Sequence, residues 1–374
     1  NISISFADKI IMLNNLLKKI FNCATKKNRE LLDSKEKVLN EIYSKFRKMN
    51  AENKKNLVKV QNIFSRRDVQ VKIEYYSIQS FLIIEGIKIF YDNDKIAFFP
   101  FENASFYQKN PSGIKKARDE FLKIGWFFPA YIVANPLKVL AAELKSQSID
   151  SKMTILESIL LSLYNLEYLS RMYSERYAKV AYVSYRKEII LESIEAFSLG
   201  LNHCAITTLI PVIEGTIRDI ADLNGEKSVD VAVNKLLGIL RDYKKKIKTE
   251  SFLKDFDYFP PEFKADGFFD DFHEQFQLLE GLIRYMNEFL YKDSQLVDDI
   301  GNLNRHSILH GFFKTYDYPF NFVRLISILD LLVFVIMLKT NFSSNLPPDQ
   351  TEKSIALFDH LERLSSIELK NTRH

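Results

Sequence analysis

The longest apolar run of the chain, Leu325–Leu338, limits the fold more than any other stretch. It is broken by Asp330 and is shorter than the roughly 20 residues that a helix needs to cross a bilayer. A helix that is apolar on all sides has to be buried on all sides. We therefore predict a buried core helix over residues 320–341 and no membrane span.

The composition favours long helices over a β-sandwich or barrel. Hydrophobic residues fill 47% of the 374 positions and aromatic residues 13%, which is enough apolar surface for a globular core. Eleven glycines and ten prolines are few for a fold built on many tight turns. The two cysteines, Cys23 and Cys204, imply no disulfide framework, so we expect a reducing, cytoplasmic setting.

Positive charge is concentrated at the beginning of the chain. Residues 1–70 contain sixteen lysines and arginines against seven acidic residues, although the whole chain has a net charge of only +4. Such a segment can attract phosphate backbones. A lysine-rich helix face exposed to solvent explains the same pattern, and both interpretations stay open.

The first third of the chain changes its hydrophobic period. Apolar residues recur at helical spacing in two sets, one within 10–20 and one within 39–49, which predicts amphipathic helices in a basic region over 1–68. Alternation then replaces this period at 69–75, and short apolar runs follow at 87–91 and 96–99. We predict a small sheet or hairpin within a mixed α/β segment over 69–134, with one short helix at 114–124.

The remaining segment, 135–374, is predicted to be one helical domain. Asn135 is a candidate N-cap with Pro136 at the first helical position, and Gly200 is a candidate helix end. Pro211 falls inside a predicted helix and should kink it. The predicted helices are 136–146, 151–180, 185–199, 202–223, 228–248, 273–292, 295–310, 320–341 and 350–370.

Residues 241–273 combine a basic run with clustered aromatic residues, such as Phe268-Phe269. One interpretation is a loop that covers a site or binds a partner through its aromatic rings. The other is a long connection whose aromatic side chains fill the core, and we slightly favour it.

One short segment gathers side chains that can carry chemistry. It holds two of the six histidines of the chain and an arginine, and it precedes the core helix directly. Histidine can act as acid or base near neutral pH, and arginine can bind two phosphate oxygens at once. This motif reads Asn304-Arg305-His306-Ser307-Ile308-Leu309-His310-Gly311.

Two other interpretations of the motif remain open. His306 and His310 are four residues apart and so share one helix face, as in zinc-binding helices, but no glutamate lies between them and no third ligand is evident. The two histidines can also be purely structural residues at a helix junction. We predict neither a metal nor a cofactor.

Taken in its helical context, the motif resembles that of the HEPN superfamily. The domains of this superfamily are helical bundles with an arginine, usually followed by a polar residue, and a histidine four to six residues after it. Arg305, His306 and His310 match these positions, and 206–218 and 321–330 resemble the flanking helices. The resemblance covers about 184–342 and leaves 1–135 without a recognised family.

The resemblance implies a metal-independent endoribonuclease of the kind found in toxins and antiphage defence. It implies His310 as the main acid or base, Arg305 as the phosphate ligand, and His306 and Asn304 as supplementary or orienting residues. Glu214 and Arg218 are candidate supporting residues, and an ordinary intrahelical ion pair is the alternative for them.

The resemblance also implies partners. HEPN enzymes typically pair two motifs across one cleft, so we expect RNA as substrate and a homodimer or larger oligomer. An antitoxin or defence-system protein is a further candidate partner. The rival hypothesis is a non-catalytic helical scaffold that binds RNA, a nucleotide or a protein.

Overall fold

The computed structural model confirms a mainly helical protein with one small antiparallel sheet. The chain divides into two compact units, Asn1–Phe106 with Leu253–Ala265, and Tyr107–Phe252 with Asp266–His374. These bounds differ from the segments 1–68, 69–134 and 135–374, because helices and sheet share the first unit. The structure describes residues 35–67, 69–79, 83–92, 95–109, 113–132, 134–222, 233–249, 253–272, 274–292, 303–338 and 346–367.

Three helices open the described part of the first unit: α1 (35–47), α2 (Ala51–Lys54) and α3 (Leu57–Ser65). The side chains of Asn50 and Asn56 accept hydrogen bonds from backbone N–H groups at the starts of α2 and α3, which fixes where these helices begin. The apolar spacing within 39–49 marks the buried face of α1, as predicted. The set within 10–20 lies outside the described residues.

The sheet of the first unit has the order β1-β2-β3, with strands Val71–Gln79, Ile83–Tyr91 and Lys95–Pro100. Both pairs of neighbouring strands are antiparallel. Its inner face contributes Ile87, Ile89 and Phe99 to one apolar cluster with residues of α1 and α3. The sheet is where the change of period predicted it, and its strands are longer than the apolar runs because the pairing extends into polar residues.

A segment from the middle of the chain completes this unit. The backbone N–H of Phe98 donates to the carbonyl oxygen of Tyr258 at 3.0 Å, and the N–H of Tyr258 donates to that of Ile96 at 3.1 Å. Tyr258, Phe259 and Phe263 are all buried. The aromatic residues of 253–265 therefore fill a core, which agrees with the second interpretation of this stretch.

The other helices follow the predicted order with changed bounds. Two π-helical turns, Tyr173–Tyr177 and Met286–Leu290, directly follow the helices Leu166–Met172 and Glu274–Tyr285. The helices are α4 (Ala104–Lys109), α5 (Gly113–Leu122), α6 (Ala134–Leu144), α7 (Ile149–Leu163), α8 (Leu166–Met172), α9 (Lys187–Ser198), α10 (Asn202–Asp222), α11 (Val233–Ile247), α12 (Pro261–Lys264), α13 (Asp266–Phe272), α14 (Glu274–Tyr285), α15 (Arg305–Leu309), α16 (Pro319–Leu338) and α17 (Glu352–Ser366).

Four helix predictions are wrong. The described residues of 101–132 form two helices, α4 and α5, where we predict one short helix at 114–124. A single helix over 151–180 is broken after Leu163, because Asn165 starts α8 by accepting a hydrogen bond from the N–H of Tyr168 at 2.9 Å. Helix α6 begins at Ala134, so Asn135 is not its N-cap. The helix predicted over 295–310 begins only at Arg305, and residues 293–302 lie outside the described part.

Helix α16 forms the centre of the second unit. Residues 320–337 are all buried, and α16 packs against α7, α10 and α14, while α10 also packs against α9 and α11. Its stretch Pro319–Met337 has the length and hydropathy of a membrane-spanning helix, yet residues 320–337 of it are buried inside the protein. The apolar run thus forms the predicted core helix.

A buried carboxyl group interrupts this helix. Asp330 is fully buried, and its two oxygens accept hydrogen bonds from the hydroxyl groups of Tyr168 at 2.6 Å and Tyr177 at 2.5 Å. Burial raises the pKa of Asp330 to about 7, although the hydrogen bonds from these tyrosines lower it. The core helix therefore contains a group that titrates near neutral pH.

Candidate active site

The motif begins at a firmly held N-cap residue. The Asn304 side-chain oxygen accepts a hydrogen bond from the backbone N–H of Ser307 at 2.9 Å, and so caps α15. Its amide nitrogen donates to the carbonyl oxygens of Lys292 at 2.8 Å and Phe289 at 3.2 Å. Asn304 is 1% exposed. All of its polar atoms hold backbone in place, so Asn304 positions the motif and does not face a substrate.

The motif ends in a tight turn. Helix α15 has only five residues, and the backbone N–H of His310 closes its last turn on the carbonyl oxygen of His306 at 3.0 Å. Gly311 follows with a φ of +74°, in the left-handed region that favours glycine. The chain turns away there, which leaves His310 at the exposed end of the helix.

Glu214 orients the guanidinium group of Arg305. The Nε atom of Arg305 donates to Oε1 of Glu214 at 2.8 Å, and the Glu214 side chain is 7% exposed against 21% for Arg305. The pair joins α15 to α10. The Glu214 carboxylate is buried and the Arg305 guanidinium reaches the surface. The carboxylate therefore binds the guanidinium on the side that faces the protein interior.

The two Nη nitrogens of Arg305 differ in their hydrogen-bond contacts. Nη1 lies 3.5 Å from Nδ1 of His306. Within the described ranges, Nη2 has no hydrogen-bond acceptor. A planar guanidinium that is bound by one carboxylate and has a further N–H group without an acceptor can bind an oxyanion such as a phosphate.

Tyr291 is a second partner of Glu214 that the sequence did not reveal. Its hydroxyl group donates to Oε1 of Glu214 at 3.3 Å. Burial, followed by the negative charge of Glu214, raises the pKa of the Tyr291 hydroxyl well above its usual value. Tyr291 therefore stays protonated and remains a donor. Glu214 thus accepts hydrogen bonds from two donors that belong to different segments of the chain.

The two histidines of the motif lie side by side. Their rings are parallel within 3°, with centroids 6.0 Å apart. His306 is half-buried and His310 is exposed, with Phe312 at 6.3 Å from the His310 ring centroid. Among the described residues, none forms a hydrogen bond with a ring nitrogen of His310. An imidazole in this position can exchange protons with a ligand or with water.

Arg218 lies one turn after Glu214 on α10. In the described part of the chain it makes no ion pair with Glu214 within 4.0 Å, so the alternative of an intrahelical pair does not apply there. Its Nη1 atom is buried without a hydrogen-bond partner among those residues. Burial and Glu214 raise the pKa of the Tyr291 hydroxyl, and the positive charge of Arg218 opposes this rise slightly, which is consistent with a supporting position.

The structure brings five of the six predicted site residues into one connected group and places Arg218 beside it. The zinc alternative gains no further ligand, because no cluster of three or more His, Cys, Asp or Glu side chains occurs within the described ranges. Apart from Tyr291, the sequence also did not reveal the exposed apolar side chains beside His310, which are Leu309 and Phe312.

Replacing Asn304 by alanine is expected to lower the free energy of unfolding by about 2–4 kcal/mol. The variant loses a cap, worth about 1 kcal/mol, and removes the Asn304 donor from the carbonyl oxygen of Lys292, whereas the carbonyl oxygen of Phe289 keeps the backbone N–H of Lys292 at 3.3 Å. Urea unfolding measures the change. Asn56→Ala is the matched control, since Asn56 is an exposed N-cap whose loss should cost only about 1 kcal/mol. Equal losses in both variants would contradict this role of Asn304.

Comparison with known proteins leaves the chain without a match, because no family model, curated protein or solved structure is significantly similar to it.

Proposed function

We propose that this protein is a metal-independent endoribonuclease that cleaves RNA by attack of its own 2′-hydroxyl group. One observation carries the proposal. Glu214 holds the Arg305 guanidinium group with Nη2 open, directly beside two parallel imidazoles of which His310 is exposed. The resemblance of the motif to HEPN ribonucleases supports the same chemistry.

The reaction needs a base, an acid and positive charge. A base removes the 2′-hydroxyl proton, the 2′-oxygen attacks the neighbouring phosphorus, and the bond from phosphorus to the 5′-oxygen breaks. An acid protonates the departing 5′-oxygen, so the products are a 2′,3′-cyclic phosphate and a 5′-hydroxyl. His310 serves as acid or base, and Arg305 stabilises the charge on the phosphorane. His306 supplements His310 and contacts Arg305.

A second copy of the chain would supply the other half of the site. One copy offers one exposed histidine in this motif, whereas the reaction uses both an acid and a base. The side chains of Leu309, Phe312 and Tyr318 are 43%, 67% and 45% exposed. Leu309 and Phe312 lie beside His310, and neighbouring exposed apolar side chains of this kind mark protein interfaces. We propose a homodimer, or an assembly of dimers, in which the two motifs face one cleft.

The cellular role that fits this chemistry is a toxin or an antiphage-defence effector in the cytoplasm. An uncontrolled ribonuclease would damage its host, so an antitoxin or defence-system protein is a fitting partner. The rival function is a non-catalytic helical scaffold, in which the same residues bind RNA, a nucleotide or a protein without turnover.

The test is to incubate the purified protein with a mixed RNA pool in EDTA. Cleavage is expected to give 2′,3′-cyclic phosphate and 5′-hydroxyl ends, and the protein should elute as a dimer or larger assembly on size-exclusion chromatography with light scattering. RNA pools in which every 2′-hydroxyl is methylated should stay intact. Intact RNA in every unmodified pool contradicts the proposal, and binding without cleavage favours the scaffold.

A further inference from the structure

The outer face of the sheet carries two lysines and two aromatic rings, with Glu74 between Lys72 and Tyr76 on β1. We name Lys72, Tyr76, Lys88 and Phe90 the lysine–aromatic strip. The register places Lys72 opposite Phe90 on β1 and β2. Successive side chains of a strand point to opposite faces, and the alternate residues pack with α1 and α3. The strip therefore lies on the face turned away from these helices.

The ammonium groups of the strip lie over its rings. The Lys88 Nζ atom is 5.0 Å from the ring centroid of Tyr76 and 5.2 Å from that of Phe90, and Lys72 Nζ is 5.5 Å from the Phe90 centroid. Glu74 lies opposite Lys88 in the register, but within the described ranges the two make no ion pair. Lys72 likewise makes no ion pair with a described residue, so both ammonium groups are available to an anionic ligand.

The Tyr76 ring is supported from its own unit. It is 37% exposed, and it packs edge-on against Phe98 and Phe256, each with centroids 6.0 Å away. Gly86 lies opposite Tyr76, and a Cβ atom at Gly86 would come within 2.7 Å of the Phe98 ring. The close packing around Gly86 fixes the ring of Phe98, and with it the support for Tyr76. Tyr76 thus offers a pre-oriented aromatic surface.

We propose that the lysine–aromatic strip binds single-stranded RNA, an inference that rests on the proposed ribonuclease function for its substrate class. Base stacking on an aromatic ring contributes more to affinity than an exposed contact between an ammonium group and a ring. A base therefore displaces the lysine from the ring, and the released ammonium group gains a phosphate. Tyr76 and Phe90 lie four residues apart along the strands, about 14 Å at about 3.4 Å per residue, so one extended RNA strand reaches both.

Charge favours RNA over a protein as the occupant of this face. Lysine is depleted at protein interfaces, because burying its strongly hydrated ammonium group is costly. Phosphates need no such burial, and aromatic rings accept any base because every base has a flat face. The strip would hold the substrate strand without reading its sequence.

The test uses the full chain and a labelled 12-nucleotide single-stranded RNA with 2′-O-methyl groups, which cannot be cleaved by 2′-hydroxyl attack. Fluorescence anisotropy measures its affinity at several salt concentrations. Tyr76→Ala is expected to weaken binding by about 5- to 150-fold, and Tyr76→Phe to leave it unchanged. Lys72→Ala with Lys88→Ala should reduce the slope of log affinity against log salt by about 1.4. Lys59→Ala, at an exposed lysine of α3, is the matched control and should bind as wild type.

These experiments can refute the RNA-binding proposal and the ribonuclease proposal independently of each other. If strip variants lose binding while the wild type cleaves no RNA, the strip proposal stands and the ribonuclease proposal fails. Wild-type protein that does not bind the RNA, or Tyr76→Ala protein with unchanged affinity and thermal stability, overturns the strip proposal. Unchanged RNA affinity combined with a lost oligomer in Tyr76→Ala also overturns it, and shows a protein-binding face instead.

Discussion

Replacing His310 by alanine is expected to reduce RNA cleavage by about 10²- to 10⁴-fold, the usual contribution of a general acid or base. The side chain is exposed at the end of α15, so its removal opens no cavity. Thermal stability should therefore stay close to that of the wild type. The measurement is the initial rate of cleavage of a labelled RNA in EDTA at saturating substrate.

Two further variants test whether the loss of cleavage is specific to the proposed site. His360→Ala removes another histidine of the same unit, whose Nε2 atom lies within hydrogen-bond distance of Oε1 of Glu195, at 2.8 Å. This variant should cleave RNA at the wild-type rate. Arg305→Lys keeps a positive charge but loses the planar group, and it should be about 10²- to 10³-fold slower. A His310→Ala protein that is as active as wild type would refute the proposed site.

Replacing Asp330 by asparagine is expected to change how stability depends on pH. The folded-state pKa of Asp330 is raised to about 7, against about 3.9 in an unfolded chain. Between these values the folded state holds more protons than the unfolded state. The stability that this group contributes is therefore fully present below pH 4 and is lost as the pH rises through 7.

The expected size follows from the width of this window. Between pH 5 and pH 8, the free energy of unfolding of Asp330→Asn should rise relative to the wild type by about 2–3 kcal/mol. An amide is neutral at every pH. Its oxygen can still accept a hydrogen bond from one of Tyr168 and Tyr177, and its NH₂ group can donate to the hydroxyl oxygen of the other. Urea unfolding at pH 5, 6, 7 and 8 measures the difference.

An exposed carboxylate provides the control for this series. Asp359→Asn, on the solvent side of α17, should follow the wild type at every pH. The groups that face Asp330 are tyrosines: Tyr164 at the end of α7, Tyr168 of α8, and Tyr177 of the segment that follows α8. They stay protonated over this range because burial raises their pKa. A constant difference between Asp330→Asn and the wild type would show that Asp330 does not titrate in the core.

Local patterns predicted the class of the fold and the order of its elements. The apolar run at 325–338 required a buried helix, and the change of period near 69 required strands, because both signals depend on residues that are neighbours in sequence. The break at Asn165 was missed. A single capping hydrogen bond competes there with a strong helical pattern, and the pattern alone does not show which of the two wins.

Long-range packing decided the rest. The sequence placed Arg305, His306 and His310 within one turn and a half of helix, since their spacing is local. Only the tertiary structure decided that Glu214, 91 positions earlier, takes Arg305 and not Arg218 as its partner. It also decided that the segment 253–265 completes a sheet formed some 160 residues before it. Such pairings depend on which surfaces meet when the core closes, and no periodicity in the sequence encodes that choice.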